Sequence, residues 1–449
     1  MPTSEQLYEW DQRHYWHAFT QMATYQPLVI EKASGVWLYD TDGNRYLDGV
    51  SSLWCNVHGH RHPRIDAAIR AQLDRVAHCT SLGLTNPMGI ELAKRLAELA
   101  PGDLQHVFFS CDGSSAVEVA LKMAFQYWRQ CEQPQPRKTT YIALGDAYHG
   151  DTLGSTSVGG IPLFHAMFGP LLFDVLRVAV PDAHRLPEDV TAETACCHYL
   201  GELEQLLAAR HEEIAAVVIE PLVQGAAGMI MHPEGYLRGV RQLTRQYGVL
   251  LIVDEIVTAF GRTGRMFACE QEQTVPDLMC LGKGITGGYL PLAATLATEE
   301  VYQAFLGPAF PAPGENQKTF FHGHTYGGNP LAAAAALASL DVLEEERVLE
   351  QLPTKSAQLA EILSRCQALP KVESTRQLGL LAALELNAEQ GSDRWETSRL
   401  AQKVCHEALG RNLWLRPLGG TLILVPPLVI THDELELLGS ALTESIAAC

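Results

Sequence analysis

Between residues 106 and 297, short apolar runs alternate with stretches of helical periodicity. The runs 106–110, 141–144, 216–219, 249–253, 278–281 and 293–297 are apolar almost throughout, without the in–out alternation of a half-exposed sheet. Runs of this kind suit strands covered by helices on both faces. Residues 115–128 and 236–247 carry the apolar spacing of helices between them. The pattern predicts an α/β chain built on a mostly parallel sheet, whose ligands bind beyond the carboxyl ends of the strands. Polar or Pro-rich breaks fall at 130–138, 181–194 and 307–318, the last rich in Pro and Gly and read as a loop near a site. From Leu331 the order changes to an Ala-rich helix and short strands near 378–386, 413–416 and 422–425. This predicts a large domain over 61–335 and a smaller α+β domain over 336–449, joined by residues 1–60.

Composition narrows the function classes. The chain has 449 residues, 47% apolar and 19% charged, as expected of a folded protein of two or three domains. A net charge of −19 argues against nucleic acid or an anionic membrane as the main partner. No apolar run approaches the roughly 18 residues of a membrane helix, and the first residues show no apolar signal core. Eleven cysteines are scattered without a CxxC spacing, so reduced thiols and a cytoplasmic location are expected, with no disulfide framework or metal knuckle.

Polar groups gather where the predicted strands end. After run 106–110 come Cys111, Asp112, Gly113 and Ser114, then a helix. Free N–H groups and a hydroxyl there suit a phosphate, although an ordinary helix cap reads the same. Run 249–253 ends in Asp254, either the partner of a protonated heterocycle or half of a structural ion pair. Lys283 stands between two glycines directly after an apolar run, where low polarity makes an amine usable as a nucleophile or base. Taken together, a phosphate turn, a terminal Asp and a Gly-flanked Lys meet the needs of pyridoxal 5'-phosphate. His58, His60 and His62 are placed in a turn rather than in a metal site, as is the Gly-flanked His322–His324 segment.

Longer segments carry a resemblance. They include Trp16 to Met22, Ser51 to Trp54, Ala116 to Ala124, Tyr148 to Thr152, Glu220 to Gly225, Phe260 to Gly264 and Leu415 to Gly419. Through these the chain resembles, end to end, the fold-type I, class III aminotransferases, and within them the biotin-pathway group. The resemblance implies Lys283 as the Schiff-base lysine and Asp254 as partner of the pyridine nitrogen. It implies Gly113 and Ser114 at the phosphate, with His324 and Thr325 reaching over from the second subunit of a homodimer. Tyr148 would stack on the cofactor, Trp54 and Gly323 would line the substrate channel with Phe19 and Leu53, and Arg416 would take a substrate carboxylate. The pattern departs at Cys111 and Asp112, at Phe19 where many members carry tyrosine, and at Leu53 where they carry tryptophan. The implied reaction moves an amino group to 8-amino-7-oxononanoate, from S-adenosylmethionine or, with a slimmer donor, from L-lysine. A broad ω-amino acid transaminase and a non-catalytic cofactor-binding protein are the rival readings.

Overall fold

The computed structural model describes residues 2–313, 317–387 and 394–449. Its centre is a seven-stranded sheet in the order His106–Ser110, Ala293–Ala297, Leu278–Leu281, Leu250–Asp254, Ile214–Ile219, Thr140–Leu144, Leu176–Val178. Six strands point the same way; Ala293–Ala297 runs antiparallel to both neighbours. Its apolar sequence carries no sign of direction, so the reversal was not legible. The edge strand Leu176–Val178, three residues with an arginine at its centre, is too short and too polar to stand out as an apolar run.

The unbroken apolar runs have a direct explanation. Ile142, Leu144, Val217, Ile219, Leu251 and Val253 pack into one core, while Tyr141, Ala143, Ala216, Val218, Leu250 and Ile252 pack into another. Successive residues of each strand point to opposite faces, and both faces are covered. The helix Gly113–Gln130 starts where Asp112 accepts the N–H of Ser115 at 2.9 Å, a side-chain cap on orphan donors.

The N-terminal strands Ile30–Ser34, Trp37–Asp40 and Arg45–Asp48 form a sheet that Leu413–Trp414 completes, in parallel with Arg45–Asp48. A second, antiparallel sheet runs Val372–Leu378, Leu381–Leu386, Thr421–Leu424, Arg416–Leu418. Residue 335, where the sequence suggests a domain boundary, lies inside the continuous helix Pro330–Glu345, which packs on Pro63–Leu73 and Pro87–Leu99. That helix has no breaker before Arg347, whose positive φ of 52° turns the chain towards Val348–Gln367. Of the break at 307–318, residues 314–316 lie outside the described residues and the rest holds no regular element. The break at 181–194 ends early, because the helix Ala192–Arg210 begins within it. No helix among the described residues is long and apolar enough to cross a membrane.

Candidate active site

The sheet places four strand ends around one cavity of about 440 Å³. His106–Ser110 leads to Gly113 and Ser114, Thr140–Leu144 to Tyr148, and Leu278–Leu281 to Lys283, while Leu250–Asp254 ends in Asp254; all five residues line it. The sequence singled out these five, and the structure brings them together.

Gly113 and Ser114 open an 18-residue helix, and among the described residues nothing accepts their N–H groups. The turn around them has no spare room: a Cβ on Gly113 would stand 2.9 Å from Ile256 Cδ1, and one on Gly150 would collide with Ser114. Ser114 Oγ accepts the N–H of Asp151 at 3.1 Å, which leaves its own proton free for an anion. Glycines that keep backbone close to the cavity, beside a helix N-terminus with free donors, make a turn suited to a phosphate.

Asp254 is buried and accepts at both oxygens, from Ile256 N–H at 3.1 Å and from His149 Nδ1 at 2.7 Å. Burial works against the His149 imidazolium, but the hydrogen bond and charge of Asp254 outweigh it, and the imidazole pKa ends above its ordinary value. The other ring nitrogen, Nε2, is buried without a partner among the described residues. Lys283 sits in the left-handed region at φ 41°, with Nζ 5.5 Å from the centre of the Trp54 ring. Burial pushes its pKa below the usual lysine value, against the pull of Asp254 and Glu220. A buried amine of lowered pKa, a buried carboxylate and a turn suited to a phosphate are the groups that pyridoxal phosphate requires. The residues present fit that cofactor.

Tyr148 donates from its hydroxyl to Asp151 at 2.8 Å, and burial, with Asp151 adding, raises its pKa. Its ring meets Phe164, which meets Phe19 at 5.3 Å, so Phe19 stands at the rim, 55% exposed. Leu53 is 47% exposed, while its neighbour Trp54 is buried at φ 64° among Val223, Met229 and Ile423. Arg416 pairs directly with Ile423 and precedes Leu418 by two, so its side chain shares their face of the sheet, the face packed on the Trp54 cluster. It does not line the cavity itself. Gly323, His324 and Thr325 are exposed and outside the cavity lining of their own chain.

Two residues of the site escaped sequence reasoning. His149 follows Tyr148, and Glu220 follows a buried strand just as Asp254 ends one. That shared position was the available signal for Glu220. The histidines His58, His60 and His62 pair with Ser339, Asp48 and Glu346 respectively.

The sequence matches the family described as aminotransferase class-III over residues 19–446. It is 53% identical to the adenosylmethionine-8-amino-7-oxononanoate aminotransferase of Nitratidesulfovibrio vulgaris, across 98% of this chain and 81% of that protein. It is 49% identical to the protein of that name from Geobacter sulfurreducens, across 99% and 98%. The crystal structure of the Methanocaldococcus jannaschii protein of that name superposes with a TM-score of 0.91 at 40% identity, covering 99% of both chains. An (S)-enantioselective omega-transaminase from Thermomicrobium roseum superposes at 0.92 with 34% identity, covering 100% of this chain and 99% of that one. Likeness of this extent, on a cavity built as described, means that the chain belongs to the class III aminotransferases, enzymes that work with pyridoxal 5'-phosphate.

Proposed function

We propose that this aminotransferase converts 8-amino-7-oxononanoate to 7,8-diaminononanoate in biotin biosynthesis, with S-adenosylmethionine as amino donor. The observation that carries the reading is the near-full-length identity to proteins bearing that activity in their names. Arg416 on the Trp54 face supports it, since a guanidinium is shaped to pair with the carboxylate of a long, largely apolar keto acid.

Bound pyridoxal phosphate supplies the carbonyl that takes up the amino group and the ring that stabilises negative charge beside it. Gly113 and Ser114 bind the phosphate. Asp254, held by His149, keeps a proton on the pyridine nitrogen. Tyr148, which lines the cavity, would pack against the ring of the bound cofactor. Lys283 would hold the resting cofactor, and its Nζ, once set free by the incoming amine, would take the proton from the amine-bearing carbon of the donor and, in the second half-reaction, return one to that carbon of the product. His324 and Thr325 complete the phosphate site from the partner of a homodimer, and Gly323, Phe19, Leu53 and Trp54 shape the channel to it. The enzyme works in the cytoplasm.

L-Lysine is the second donor reading, favoured by Leu53, which offers less surface to an adenine than an aromatic residue does. Mixing the cofactor-loaded enzyme rapidly with each amine alone, at equal concentration, separates the two. Loss of the visible cofactor band with S-adenosylmethionine, then diaminononanoate on addition of the keto acid, is the expected result. Loss with lysine alone would overturn the donor, and turnover of simple ω-amines without 8-amino-7-oxononanoate would overturn the substrate.

A further inference from the structure

Glu220 follows Ile214–Ile219, the strand between Leu250–Asp254 and Thr140–Leu144. It lines the cavity, is 4% exposed, and among the described residues forms no ion pair. Both its oxygens accept from backbone. Oε1 takes the N–H of Tyr148 at 3.1 Å and Oε2 takes the N–H of Gly225 at 2.8 Å. The first bond holds the loop that carries the Tyr148 ring. The second holds a glycine that lies against Trp54, where a Cβ would stand 3.4 Å from the indole. One buried carboxylate thus joins the main chain of the Tyr148 loop to that of the glycine against Trp54.

We propose that Glu220 is a positioning residue of the transamination site: as a carboxylate it sets the spacing between the Tyr148 loop and the Trp54 wall, and a proton on it opens that clamp. Two N–H donors are best met by two unprotonated oxygens: the hydroxyl oxygen of a carboxylic acid accepts more weakly than a carboxylate oxygen, and the NH2 of an amide does not accept at all. The ionisable groups facing Glu220 are Tyr148 and His149 from the loop after Thr140–Leu144, Asp254 from the neighbouring strand, and Lys283 across the cavity. Burial raises its pKa to about 7, with His149 pulling it down and Asp254 pushing it up. The sign follows. An acid whose folded pKa is raised stabilises the fold in its protonated form, and that contribution is lost as pH rises through the folded value. The clamp is therefore held at alkaline pH at the expense of stability, and relaxes within the physiological range.

The inference rests on the transaminase reading of the cavity but not on the identity of donor or ketone. Its test is the visible circular dichroism of the bound cofactor in the full-length holoenzyme, titrated from about pH 5.5 to 9 without substrate. In the wild type the signal should change with a midpoint near 7. Glu220→Gln should abolish the change, read at every pH like the acid end of the wild type, and raise the donor KM about tenfold at pH 8 with kcat altered less. His149→Asn should keep the titration and move it upward, because the imidazolium no longer opposes a proton on Glu220. A flat wild-type signal, an unmoved midpoint in Glu220→Gln, or a titration abolished by His149→Asn would overturn the proposal. If Glu220→Gln does not accumulate, the wild-type and His149→Asn titrations still decide. A protein that shows no cofactor band at all contradicts the transaminase reading instead.

Discussion

The floor of the cavity and its rim are built on different terms. Asp254, Lys283, Tyr148, Gly113 and Ser114 all follow or end strands of one sheet whose two faces are packed, so one chain fixes their spacing. At the rim, outside the cavity lining, Phe19 is 55% exposed and Leu53, next to Trp54, 47%. Apolar surface of that kind is what a second subunit or a long substrate covers. On the proposed reading the difference separates chemistry, placed by the sheet, from recognition, left to segments that a single chain does not close over. Substitutions of floor residues that meet the reacting atoms should therefore act on kcat, and those at the rim, or at the positioning residue Glu220, on KM.

Lys283→Ala should show the largest effect, a loss of turnover of at least about 10⁴-fold in single-turnover assays, because no other described amine lines the cavity. Asp254→Asn should follow, with a loss of roughly 100- to 1,000-fold while cofactor occupancy persists through the phosphate cradle; near-normal turnover at full occupancy would remove Asp254 from its role. Arg416→Ala should raise KM for the keto acid roughly 10- to 150-fold, the loss of one charge-assisted pair of about 1.5–3 kcal/mol, with kcat little changed. A matching fall in kcat would blur the division between floor and rim.

Replacing His149 probes the floor through stability. Its pKa is raised above the ordinary 6.5, so the imidazolium contributes stability that is full below that value and fades as pH rises through the folded pKa. His149→Asn should cost about 1–3 kcal/mol in denaturant unfolding at pH 5.5 and less at pH 9. An equal loss at both values would mean that His149 is neutral in the fold. Phe19→Tyr should give the smallest change: one added hydroxyl, worth about 0.5–1.5 kcal/mol, lowers KM for S-adenosylmethionine by about tenfold at most. A larger change in kcat would move Phe19 from the rim to the floor.

The floor was legible because punctuation marks it. A carboxylate closing an apolar run, glycines on both sides of a lysine, and a Gly-Ser turn before a helix are local patterns that survive without knowledge of strand order. His149 and Glu220 were not, since their importance depends on Thr140–Leu144, Ile214–Ile219 and Leu250–Asp254 lying side by side, which is a property of the sheet. The reversed strand Ala293–Ala297 escaped for the same reason, as apolar residues read alike in either direction. Residue 335 reads as a boundary only because composition changes there, whereas the Ala-rich helix continues to Glu345 on the packing of its small side chains against Pro63–Leu73. Arg416 could be named from motif alone, but its placement needed the register that sets it opposite Ile423.

The claim beneath all of these is that the floor binds pyridoxal phosphate through Lys283. Borohydride reduction of the cofactor-loaded protein, followed by peptide mass mapping, tests it most directly. The expected result is a single pyridoxyl group on Lys283, absent from Lys283→Ala. A pyridoxyl group on any other lysine, or none on a protein that binds the cofactor, would contradict it.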